Sequence, residues 1–207
     1  MLHIFRDLTV PCQKFQITDN GSKGGSQIMG HISDQLVFRP LRLTLFFHQL
    51  LDIRCHPNFV EKGLSYDLQS NVPAKTINAD GNLLARLFDN LIGNAIKYGA
   101  DGKRVLVQIH AESETVTVSV TNYGYVIPAD ELPLIFNKFY RVEQSRSSSK
   151  GGTGLGLAIA KEIVDMHGGT ISIASDLNGT VFTVKLQVRF DVNKENFGNI
   201  EDEKQSG

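Results

Sequence analysis

The sequence predicts an α/β fold, and three observations carry that reading. Residues 82–98 and 157–167 hold apolar side chains at helical spacing. Residues 104–110, 115–120, 170–175 and 180–188 alternate apolar and polar side chains, as strands with one face in a core do. The stretch 150–160 places Gly151, Gly152, Gly154 and Gly156 directly before the second helix. Glycines let backbone N–H groups approach an anion, and a helix start adds its positive dipole end. Such a turn suits a phosphate cradle or a flexible loop with a close-packed helix start, and the glycines alone do not decide.

At 207 residues the chain has room for one domain of ordinary size plus extensions. A hydrophobic content of 41% and a charged content of 21% fit a soluble globular chain. A net charge of −1 gives no reason to expect nucleic acid or an anionic membrane as partner. Cys12 and Cys55 match no metal-ligand spacing and are too few for a disulfide framework, which points to a reducing, cytoplasmic compartment. The apolar run 36–53 is broken by Arg39, Pro40, Arg42 and Asp52, so it is not read as a transmembrane helix. Neither a signal peptide nor an internal repeat is read.

Residues 1–40 form a poorly defined segment, with turn and loop chemistry at 18–26. From 41 to 51 the pattern fits a short helix or a strand running into one, ended by Pro57. Residues 62–69 alternate Leu64, Tyr66 and Leu68 as a strand, and 78–81 form a turn. The helix 82–98 follows, with Asp80 as N-cap and Gly99 as C′ residue. Leu84, Leu87, Phe88, Leu91, Ile92 and Ala95 make its apolar stripe. Beside the stripe lie Asn90, Asn94 and Lys97, at i, i+4 and i+7. They form either a solvated helix edge or a site where amide oxygens hold Mg²⁺ and an ammonium neutralises phosphate. Strands 104–110 and 115–120 make an antiparallel hairpin. Residues 130–136 read as a short helix, Gly168 and Gly169 cap the helix 157–167, and residues 177–180 turn into the last strand. Residues 190–207 carry little apolar content and read as a disordered tail.

The series Asn90-x-x-x-Asn94-x-x-Lys97-Tyr98 resembles the N-box of sensor histidine kinases. Further boxes follow in that family's order. Asn122, Gly124 and Ile127 resemble the G1 box, with Asn122 in place of the aspartate that accepts a hydrogen bond from the adenine amino group. Phe136-Asn-Lys-Phe139-Tyr140-Arg141 resembles the F-box, whose two aromatics brace the loop over the nucleotide. Gly152, Thr153, Gly154, Leu155 and Gly156 resemble the G2 box, and Gly179-Thr180 the last glycine motif. The resemblance spans about 43–188, and residues 41–189 are read as a histidine-kinase ATP-binding catalytic domain of the gyrase, heat-shock chaperone, histidine kinase and MutL superfamily. Its details are most similar to the vancomycin-resistance sensors.

The resemblance implies a two-layer α/β sandwich: a mixed sheet of about five strands, three helices on one face and a mobile ATP lid at 142–150. It implies ATP and Mg²⁺ as ligands, with Asn90 and Asn94 on the metal and Asn90, Lys97 and Arg141 in the chemistry. Nucleotide contacts would come from Asn94, Lys97, Tyr98, Asn122, Gly124, Ile127, Phe139, Tyr140, Arg141, Thr180 and the G2 residues, with Arg146 a further candidate on the lid. Hydrolysing members of the superfamily place a glutamate base where this chain has Asn90. An amide takes no proton at neutral pH, so phosphoryl transfer to histidine fits better than hydrolysis. No acceptor hairpin is evident, since His31 precedes Ile32 and His48 precedes Gln49. A truncated or rearranged kinase is therefore expected, acting on a phosphoacceptor hairpin of another chain with a response regulator downstream. The alternatives are a catalytically silent nucleotide-binding module and, more remotely, an ATPase.

Overall fold

A computed structural model describes residues 37–72, 74–99, 102–142 and 153–189. The expectations for residues 1–36, for Arg146 and most of the lid, and for the tail lie outside the described residues. Along the described chain run β1 (Arg39–Arg42), α1 (Leu43–Gln49), a π-helical turn (Leu50–Cys55), α2 (His56–Lys62), β2 (Ser65–Ser70), β3 (Thr76–Ala79), α3 (Gly81–Tyr98), β4 (Arg104–Ala111), β5 (Thr115–Asn122), α4 (Gly156–Met166), β6 (Thr170–Asp176) and β7 (Gly179–Gln187).

Five strands form one mixed sheet in the order β2-β4-β5-β7-β6. β2 pairs parallel with β4 and the other neighbours are antiparallel. Strict alternation aims Val105, Val107 and Ile109 of β4, Val116, Val118 and Val120 of β5, and Phe182, Val184 and Leu186 of β7 into one core. Register aligns them in rows, with Val107 opposite Val120 and Val120 opposite Phe182. The helices supply the other half of that core: Leu84, Leu87, Phe88, Leu91, Ile92 and Ala95 of α3 and Ala160, Ile163 and Val164 of α4 are all buried in it. The expected α/β sandwich with a five-stranded mixed sheet is the observed architecture.

Four local readings are corrected. Pro57 does not end a helix. It lies in the first turn of α2, directly after the π turn, and the helix runs on to Gly63 at φ 63°. The strand expected over 62–69 consequently begins at Ser65. Asn78 and Ala79 belong to β3 rather than a turn, because Arg39–Arg42 pairs antiparallel with Thr76–Ala79. Gly99, expected as the C′ residue, is the C-cap of α3 itself, at φ −96° and donating its N–H to the Ala95 carbonyl at 2.8 Å.

The start of α3 is fixed by Asp80 and His167 together. Asp80 Oδ1 accepts from the backbone N–H groups of Asn82 and Leu83 at 2.9 and 3.1 Å, the expected N-cap, while Oδ2 accepts from Val37 N–H at 3.2 Å. His167, at the end of α4, is buried. Its Nε2 accepts from Asp80 N–H at 3.2 Å, so the proton sits on Nδ1, which donates to the Ile163 carbonyl at 2.8 Å. Burial holds the imidazole pKa below its ordinary 6.5. The unfolded chain therefore binds a proton in a range where the folded chain refuses it. Stability is full above pH 6.5 and is lost as pH falls below it. The melting temperature should drop between pH 7.5 and 5.5, and His167→Gln, less stable at pH 7.5, should show a shallower drop.

Candidate functional site

One cavity of about 580 Å³ lies between α3, α4 and the β5 and β7 ends of the sheet, a size usual for a cofactor site. Its wall from α3 carries Asn90, Asn94, Lys97 and Tyr98, which helical spacing places on successive turns of one face. Asn90 Nδ2 donates to the Arg86 carbonyl one turn back at 2.9 Å, which leaves Oδ1 as the oxygen turned toward α4. A Cβ placed on Gly156, the first residue of α4, would lie 2.9 Å from that Oδ1. Glycine there keeps that amide oxygen accessible, and an amide oxygen is a donor type that suits a hard cation. No group of three or more His, Cys, Asp or Glu that could hold a metal occurs among the described residues, and the cavity lining offers the amide oxygens of Asn90 and Asn94 beside the Asp89 carboxylate. Lys97 Nζ lies 4.8 Å from the Tyr98 ring centroid.

Gly156→Ala should separate fold from site. The added methyl favours helix and meets only the mobile end of Asn90, so the melting temperature should hold. On the expectation that Asn90 holds Mg²⁺ beside the nucleotide, displacing Oδ1 should weaken Mg·ATP binding about tenfold, measurable by titration calorimetry.

The floor comes from the sheet. Register sets Tyr66, Val105, Asn122, Thr180 and Ser175 in one row, on the face that is apolar in the next rows. Where the helices stop covering that face, the row turns polar. Ser175 Oγ accepts from Ile127 N–H at 2.9 Å and lies 2.7 Å from Thr180 Oγ1, which donates to the Tyr125 carbonyl at 3.3 Å. Thr180 has one proton and gives it to Tyr125, so Ser175 is the donor between the two hydroxyls. Asn122 is 3% exposed, and its Nδ2 is the buried side-chain polar atom without a hydrogen-bond partner among the described residues.

The third wall is the loop before α4. Residues 129–136 do not form the expected helix. They make a series of turns bonded i to i+3 (Glu131 N–H to Pro128, Leu134 N–H to Glu131), since Pro133 has no N–H to continue a helical ladder. Lys138 pairs with Glu162 of α4 at 2.8 Å, and Tyr140 donates its hydroxyl to Glu131 at 3.0 Å. Phe139 N–H donates to the Gly154 carbonyl at 3.0 Å. Gly154 sits at φ 71°, and a Cβ there would press on the Phe139 backbone at 2.8 Å, so this crossing admits only glycine. Tyr140, Arg141, Thr153 and Gly154 thereby reach the cavity.

Of the residues singled out from sequence, the cavity brings together Asn90, Asn94, Lys97, Tyr98, Asn122, Ile127, Tyr140, Arg141, Thr153, Gly154, Gly156 and Thr180. Three others do not line it. Phe139 is 72% exposed at φ 65°, Leu155 precedes α4 outside the lining, and Gly124 lies in a neighbouring hollow with Tyr123 and Gly179. Gly152 lies outside the described residues. Sequence reading missed Asp89, Gly93, Tyr125, Ile135, Val142, Leu157, Ile159 and Phe182. Asp89 pairs with Arg54 of the π turn, and burial raises its carboxyl pKa against that guanidinium. The pairing joins residues far apart in the chain, so no local pattern announces it.

Comparison with known proteins gives a consistent result. Residues 79–189 match the family described as histidine kinase-, DNA gyrase B-, and HSP90-like ATPase. The chain is 44% identical over 111 residues to sensor protein VanS of Enterococcus faecium, covering 54% of this chain and 29% of VanS. It is 41% identical over 146 residues to sensor protein VanSC of Enterococcus gallinarum, covering 70% of this chain and 39% of the relative. The chain thus spans less than half the length of these relatives. Among solved structures, full-length ShkA in complex with AMPPNP superposes with a TM-score of 0.64 at 28% identity, over 73% of this chain and 31% of that one. No helix among the described residues is long and apolar enough to cross a membrane.

Proposed function

We infer the function from one premise: the chain belongs to the histidine kinase-, DNA gyrase B-, and HSP90-like ATPase family. It acts as the ATP-binding catalytic domain of a VanS-like sensor histidine kinase, passing the γ-phosphoryl of Mg·ATP to a histidine on a phosphoacceptor hairpin of another chain. A response regulator downstream and a role in glycopeptide resistance follow from the same reading, as does a cytoplasmic location for this domain. The observation that carries it is the convergence of Asn90, Asn94 and Lys97 from α3 with Asn122 and Thr180 from the sheet around one cavity.

Each element has a task in that chemistry. Asn122 and Thr180 hold the base at the sheet end, and Tyr140 closes the cavity against water. Asn90 and Asn94 present amide oxygens to the metal, which supplies charge neutralisation when bound. Lys97 and Arg141 offset developing phosphate charge, and the start of α4 adds backbone N–H groups. Among the described residues the carboxylate that lines this face, Asp89, is paired with Arg54, and Asn90 takes no proton. Positioning for transfer is the outcome.

The test uses γ-labelled ATP, Mg²⁺ and a purified acceptor hairpin from a VanS-type kinase. Acid-labile, base-stable label on the hairpin's histidine is the expected result. Nucleotide binding without any transfer would leave the catalytically silent module standing instead, and steady-state hydrolysis lost on substitution of Asn90 would favour an ATPase.

A further inference from the structure

We propose that Asn122 makes the base pocket accept 6-oxo as well as 6-amino purine nucleoside triphosphates, an inference that rests on the nucleotide-binding reading above. Three polar side chains share the row that floors the cavity: Asn122, Thr180 and Ser175. Both hydroxyls are already committed in a one-way relay from Ile127 N–H through Ser175 and Thr180 to the Tyr125 carbonyl. Neither has a proton left for a ligand. The Asn122 amide is different: it lines the cavity, is 3% exposed, and keeps a buried N–H₂ with no partner among the described residues. A buried donor left unmet is expensive, so a ligand that supplies an acceptor is favoured at that point.

An amide presents one acceptor and one donor side by side. Against adenine, the oxygen accepts from the 6-amino group while the N–H₂ donates to N1. Against hypoxanthine, the edge is reversed: O6 accepts and N1–H donates. Half a turn about the terminal torsion of Asn122 matches that edge equally well, and such sp³–sp² torsions are broad and roughly two-fold. No protein hydrogen bond to Nδ2 has to be broken for the turn. A carboxylate in the same place would be an acceptor only. It would receive the 6-amino group but set its charge against O6. The uncharged amide removes that repulsion and with it most of the discrimination at the 6-position.

The experiment titrates the full chain with Mg·ATP and with Mg·ITP, which differ only at the edge Asn122 would read. The proposal predicts dissociation constants within about tenfold of each other, and an Asn122→Asp variant that widens the ratio toward ATP by about tenfold or more. Should ATP bind with ITP weaker by more than that factor in the unmodified chain, the proposal is overturned while nucleotide binding stands. An Asn122→Asp ratio equal to that of the parent also overturns it. If ATP itself does not bind, the functional reading fails and takes the proposal with it. The parent ratio decides the matter even if the variant does not fold.

Discussion

Asn94→Ala is expected to abolish Mg·ATP binding while leaving the fold intact. Asn94 is half-buried on the cavity side of α3, one turn from Asn90, and it is no part of the apolar stripe that fixes the helix in the core. Alanine is the best helix former, so the truncation does not weaken α3. On the proposed reading it removes one of the two amide oxygens that would hold the metal, leaving Asn90 Oδ1 alone to do so. If Asn94 holds the metal as proposed, its loss should exceed the tenfold expected of Gly156→Ala, at about a hundredfold or more. Asn94→Asp should instead retain binding with an altered metal preference, since a carboxylate adds charge where the amide had none. Titration calorimetry with Mg²⁺ and Mn²⁺ checks both variants, and unchanged binding in both would remove α3 from the site.

Phe88→Ala should have the largest effect on stability. Phe88 is fully buried in α3, with the Phe47 ring of α1 at 4.6 Å and 69° and the Phe46 ring at 6.4 Å and 66°. Both are edge-to-face arrangements that add to burial of the ring itself. Truncation leaves a cavity between α1 and α3 and should cost about 3–5 kcal/mol, a large share of the 5–15 kcal/mol typical of a domain. Urea denaturation followed by circular dichroism measures it. Because the Asn90 and Lys97 face is placed by this packing, nucleotide affinity should fall with stability, in contrast to the Asn94→Ala result.

The elements read correctly from sequence are those whose pattern is local. In α3, stripe and N-cap lie within one stretch of chain, and Asp80 caps as its side chain and position predict. The hairpin of β4 and β5 alternates strictly, and both strands are found with that alternation. What was illegible depends on distant partners. β1 exists because residues 39–42 find 76–79, and neither segment alternates long enough to show itself. The π turn and the continuation through Pro57 follow from how Leu50, Leu51, Cys55 and Phe59 reach the core, with the Cys55 thiol pushed up to about 12 by burial first and the charge of Asp89 second. In the candidate site, asparagine spacing and glycine placement could be read directly. The Asp89 pairing, the hydroxyl relay and the unmet Asn122 donor could not, since each joins residues brought together only by the sheet and helix packing.

The most direct measurement is a ¹⁵N–¹H spectrum of the chain titrated with Mg·ATP. Shifts are expected to concentrate at residues 90–98 of α3, at Asn122, at Thr153–Leu157 and at Thr180, with small effects at the outer strands β2 and β6 away from Ser175. Shifts confined to other surfaces, or none at saturating Mg·ATP, would contradict nucleotide binding in this cavity.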